Sequence, residues 1–126
     1  MTTAILALPQ ISGSLTIATN ADLRAALQFT QAGSSAPLDL TGIAFHMQVR
    51  PTAGSSAIAL DLSTANGLLT NGGTNGLLSW LVPAAQVAQI AAGAYVADLI
   101  AEGDGAVVNL CQAAPLTVTV VEGVTC

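Results

Sequence analysis

The chain has 126 residues, of which 52% are hydrophobic and 7% charged, and a net charge of −5 from seven acids against Arg24 and Arg50. This length suits one domain with a real core and is short for two. Two basic side chains cannot track a phosphate backbone, which excludes nucleic-acid binding. The longest apolar or glycine run, 90–97, stops at Asp98, well short of the ~20 residues of a spanning helix, which excludes a membrane span.

An ordinary soluble domain is roughly 25% charged, so this surface must consist largely of Ala, Thr, Ser, Gln and Asn. Such a surface fits better inside an assembly, where neighbours cover apolar patches, than on a free monomer.

Residues 1–14 read as an N-terminal arm ahead of a β-domain at 15–126. The opening MTTAILALPQI has no basic n-region and makes a poor secretory signal. Its apolar Ile5, Leu6 and Leu8 are candidate contacts with a neighbouring subunit. Beyond the arm an apolar alternation of period two dominates. In DLRAALQF it turns Leu23, Ala25, Leu27 and Phe29 inward. In GIAFHMQVR it turns Ile43, Phe45, Met47 and Val49 inward and leaves Ala44, His46, Gln48 and Arg50 outside. IALDL follows with Ile58, Leu60 and Leu62 inward, and LLSWLV with Leu78, Trp80 and Val82. AYVADLIA places Tyr95, Ala97 and Leu99 on one face, and LTVTVV does the same with Leu116, Val118 and Val120.

Turn signals separate these runs at 32–37 (AGSSAP), 51–56 (PTAGSS), 71–76 (NGGTNG) and 102–105 (EGDG). Short strands between such turns predict an all-β chain folded as an antiparallel β-sandwich or barrel. One segment breaks the rhythm. PAAQVAQIAA, at 83–92, opens with Pro and is followed by Gly93, which predicts a single short helix whose Val87 and Ile90 plug one end of the domain. It carries no Lys or Arg, so it is not a membrane-surface anchor.

NGLL occurs twice, at 66–69 and 75–78, around the glycine–asparagine run. Asn-Gly and Gly-Gly supply the positive φ of a tight hairpin, which would bring the two Leu-Leu pairs opposite each other. A phosphate-cradling loop needs a helix directly after its glycines and usually a Lys. Here a strand pattern follows and no Lys exists, so the run is a corner.

Candidate chemistry is sparse. His46 is the single histidine, and no HxxH, HxH or CxxC spacing accompanies it, so neither a metal site nor a cofactor site is expected. No G-x-S-x-G is present, and nothing reads as a nucleophile paired with a base. Asp98, Glu102 and Asp104 form the one acidic cluster, off the calcium-loop spacing; Asp104-Gly105 reads as a hairpin turn. Cys111 reads as a small core residue and Cys126 as a free terminal thiol. Trp80 and Tyr95 read as core anchors, and 3% aromatics provides little for a sugar-stacking platform. The chain does not read as an enzyme.

In chain order the sequence carries DLTG at 39–42, an alternating strand ending in Arg50, and LDLSTANG at 60–67. Val82-Pro83, GAYVADL at 93–99 and VTVVEGV at 118–124 follow. This succession resembles the small β-sandwich structural proteins of tailed bacteriophages, over nearly the whole chain. The resemblance implies an Ig-like sandwich and a virion location after assembly in the host bacterial cytoplasm. It also implies other virion proteins (tail fibre, tail or capsid subunits) and copies of the chain itself as partners. The favoured expectation is a tail, baseplate or tail-fibre adaptor component. Its alternatives are a capsid decoration protein and a host-surface carbohydrate-binding module. Candidate assembly contacts are Ile5, Leu6 and Leu8 of the arm with Ala44, His46 and Ala59 on outward strand positions; Ala26 and Ala94 share that outward phase.

Overall fold

The computed structural model describes residues 8–112 and 114–125. The candidate contacts Ile5 and Leu6, and Cys126, lie outside the described residues. Nine strands are described: β1 (Ser14–Ala18), β2 (Leu23–Gln28), β3 (Ala44–Arg50), β4 (Leu60–Ser63), β5 (Leu69–Asn71), β6 (Leu77–Val82), β7 (Gly93–Gly103), β8 (Ala106–Asn109) and β9 (Leu116–Val121). They form two sheets. The larger runs β1-β9-β7-β3-β4, with β8 added to the far half of β7, and the smaller runs β2-β6-β5. The chain therefore crosses between layers after β1, β2, β4 and β6, as in the immunoglobulin sandwich, where the B, E and D strands face G, F, C and C′.

The period-two residues account for the layers. Phe45, Met47, Val49, Leu60, Leu62, Ala97, Leu99, Val118 and Val120 from the larger sheet are buried, as are Leu23, Leu69, Leu78, Trp80 and Val82 from the smaller one. Each large side chain so buried contributes about 1.5–3 kcal/mol. Phe29 and Phe45 stack between the layers with ring centroids 6.3 Å apart. No polar residue is buried among the described residues.

The chain forms the expected β-sandwich, and some finer expectations need correction. The sandwich is mixed rather than wholly antiparallel, because β1 pairs with β9 in parallel, Ser14 opposite Thr117 through Ala18 opposite Val121. The helix is one turn, α1 (Ala84–Val87), after which Gln89 and Ile90 bond three residues back, to Gln86 and Val87. Val87 and Ile90 are buried as expected. Ile58 is 44% exposed: Ala59 N–H bonds to Val49 C=O ahead of the Val49–Leu60 pair, and this extra residue shifts the inward phase by one.

The glycine–asparagine run is a corner. It joins β5 to β6 through a 3-10 turn (Gly73–Asn75). The two NGLL copies do not meet, since Leu69 lies opposite Trp80 and Leu78 opposite Asn71. The turn is also a brace. Asn71 Nδ2 donates to the carbonyls of Leu40 and Ile43, at 2.8 Å each, and Leu40 N–H donates to Gly73 C=O. Gly76 C=O accepts from Phe29 N–H, which ties the same corner to the end of β2.

At the opposite end, Tyr95 lies near the start of β7 and its hydroxyl donates to Ala91 C=O at 2.6 Å, four residues upstream. This is the tyrosine corner of immunoglobulin-type sandwiches. Asp22 Oδ1 accepts from Ala84 N–H and supplies the cap that Pro83 cannot give α1.

Candidate assembly interface

The outer face of the larger sheet gathers most of the polar chemistry this chain possesses. Cross-strand register places Gln48 of β3 between Asp61 of β4 and Asp98 of β7. One pair along β3, His46 meets Asp61, with Nε2 to Oδ1 2.5 Å, His46 half-buried and Asp61 exposed. Arg50 closes the row at the other end. Its guanidinium donates to Gln48 Oε1 and to Ser55 C=O, at 2.6 Å each, and so pins the 51–56 loop over β3. Asp98 accepts from Asn109 of β8 at 3.1 Å.

Beneath that loop lies an open cleft of about 460 Å³ lined by Gln48, Arg50, Ser55, Val96, Asp98 and Pro115. Its polar groups are mostly committed to one another. Ser63, the register partner of His46, has its Oγ bonded to Asn66 N–H. Among the described residues no three His, Cys, Asp or Glu side chains converge as a metal site would require, and no helix is long and apolar enough to cross a membrane.

Two other faces carry small, mostly neutral side chains. Thr16, Thr117, Thr119, Val121 and Val107, the last 69% exposed, cover the β1-β9 and β8 flank of the larger sheet. The smaller sheet presents Ala26, Thr70, Ser79 and Leu81, with Arg24 at one end paired to Asp22 at 3.3 Å.

Among the candidate contacts, Ala44 is exposed beside Glu102, and His46 is half-buried and held by Asp61. Ala59 is half-buried where β4 begins, and Leu8 is buried in the chain's own core. Ala44 and His46 thus share one sheet face, Ala59 lies at its margin, and Leu8 belongs to the interior. The motifs DLTG, LDLSTANG and GAYVADL each place a side chain at a corner. Asp39 Oδ1 accepts from Thr41 N–H and Oγ1, which folds DLTG into a tight turn. Asn66 closes LDLSTANG through bonds to Ser63, Asp61 and Leu68. Tyr95 is the corner residue of GAYVADL. Sequence reading missed the roles of Asn66, Asn71 and Arg50; an Asn before a Gly, or an Arg at a strand end, is the signal that could have found them. No protein-family model matches the chain, and no curated protein matches it.

Proposed function

We propose that this chain is a structural subunit of a tailed-bacteriophage virion, a tail, baseplate or tail-fibre adaptor component that acts by protein–protein assembly. One observation carries the reading: the outer face of the smaller sheet and the β1-β9 flank of the larger one offer small, neutral side chains, while residues of the quoted motifs are spent on turns. A face of Ala, Thr, Val and Ser is weakly hydrated and suits packing against another subunit. The aromatic side chains point the same way, since Phe29, Phe45 and Trp80 are buried and the Tyr95 hydroxyl is committed to Ala91. A sugar-stacking platform would need such rings at the surface.

Quantitative mass spectrometry of purified virions from a phage encoding the chain tests the proposal. The expected result is the chain in the particle at tens of copies. Hundreds of copies would move it to capsid decoration, and its absence from the particle would overturn the reading.

A further inference from the structure

Five strands have an outer edge, and the edges differ in how far they are closed; that of β8 is four residues long, with Gln10 and Ile11 bonded to the Asn109 and Leu110 carbonyls at its end. On β4 the Leu60 and Leu62 backbone groups face β3, so those of Asp61 and Ser63 face out. The Asn66 side chain covers both: Oδ1 accepts from Ser63 N–H and Nδ2 donates to Asp61 C=O. This edge is blocked. β5 is only three residues long, and on β1, five residues long, the Ala18 carbonyl is taken by Ala21 N–H, which leaves Ser14 and Thr16 to face out.

β2 is different. Its register with β6, continued by the Phe29 N–H to Gly76 C=O bond, directs the backbone groups of Leu23, Ala25 and Leu27 into the sheet. Those of Arg24, Ala26 and Gln28 therefore face the open edge, and no described residue bonds them. The strand has none of the usual defences: no Pro, no Lys, no bulge and no inward-pointing charge. Ala25 and Leu27, on the core side, are only half-buried there.

We propose that β2 is a self-pairing edge, which joins two copies of this chain antiparallel about a two-fold axis at Ala26. That register sets Ala26 against its copy and Arg24 against Gln28 of the partner, with no like charges opposed. Every N–H and C=O of the three outward residues finds a partner, because in an antiparallel ladder such pairs exchange both bonds. Leu27 comes to lie opposite Ala25 of the second copy, so the half-buried core side of the edge is covered as well. The small Ala26 side chains at the axis allow close approach. The result is one sheet running β5-β6-β2 and then β2-β6-β5 of the copy. This inference rests on the self-association part of the function proposed above and assigns it to one strand and one register.

Sedimentation equilibrium of the whole chain gives the dimer constant, and oxidative cross-linking gives the register. With Cys126→Ser as background, Ala26→Cys is expected to form a covalent dimer, since paired Cα atoms lie about 5.5 Å apart, within disulfide range. Thr70→Cys, on the outer face of β5, is expected not to. Ala26→Pro removes the axial N–H at an edge where proline is tolerated, and is expected to weaken dimerisation by about tenfold or more. Should that variant fail to fold by circular dichroism, Ala26→Lys, which sets two like charges at the axis, replaces it with the same expectation at low salt. Dimers that persist in these variants, or that cross-link through Thr70→Cys instead, would overturn the β2 edge and keep self-association. A chain that stays monomeric up to its solubility limit would overturn self-pairing and leave attachment to a different virion protein standing.

Discussion

Single residues at the 71–76 corner separate two kinds of glycine requirement. Gly73 and Gly76 both have φ near +70°, but only Gly76 also lacks room, since a Cβ there would run into Phe29 C=O and lie 2.9 Å from Leu38 C=O. Gly73 has only Thr41 Oγ1 nearby, at 3.5 Å. Gly73→Ala is therefore expected to cost about 1 kcal/mol, the left-handed strain alone. Gly76→Ala is expected to cost about 3 kcal/mol or more, because the Phe29 carbonyl, which already accepts from Leu38 N–H, must move. Urea midpoints at constant slope check the ordering. Asp39 supplies a pH effect. The hydroxyl and then the N–H of Thr41 hydrogen-bond its carboxylate and hold it below the usual value of 3.8. A carboxylate lowered by folding stabilises the fold above its unfolded value, and that contribution disappears as pH falls through the lowered one. Carboxyl NMR is expected to show Asp39 titrating below 3.8, and Thr41→Val is expected to raise its midpoint.

At the scale of elements, the strands in mid-chain were legible because each has one core face and one solvent face, which forces alternation. Failures occurred where that rule stops applying. Ile58 was misplaced because an extra residue before Leu60 resets the phase, and periodicity cannot register an insertion. β1 was taken as arm and the first residues of the domain; its parallel pairing with β9 joins segments about a hundred residues apart, for which local pattern carries no signal. The helix was over-extended because Ala and Gln favour helix throughout 83–92, whereas burial of both Val87 and Ile90 and the start of β7 at Gly93 confine the α-turn to four residues. Asn66 carries no role of its own in the sequence pattern, and its use as an edge cover required the β4 register. Asn66→Ala is expected to destabilise the fold by about 1–2 kcal/mol, since turn bonds are lost. It is also expected to expose Asp61 and Ser63 as a new pairing edge, so light scattering should report higher oligomers absent from the parent protein.

For the molecule as a whole, composition was the most informative feature. With nine Lys, Arg, Asp and Glu residues, of which Arg24 is paired to Asp22 and Arg50 is bonded to Gln48 and Ser55, few charges remain for contacts with a partner. Assembly through neutral faces and backbone edges is therefore expected to resist screening, and sedimentation of particles at low and at molar salt should leave the chain bound. Which surface assembles was not legible, because alternation marks outward positions without saying which outward face is free. The polar row from Asp61 through Gln48 to Asp98 emerged only once β4, β3 and β7 were set side by side. A cryo-EM map of the intact virion is the most direct test of the central claim. The account predicts a small two-layer β-sandwich at the tail, baseplate or fibre attachment, repeated there, with a neutral sheet face or the β2 edge covered by a neighbour. A particle whose density has no place for this sandwich would contradict it.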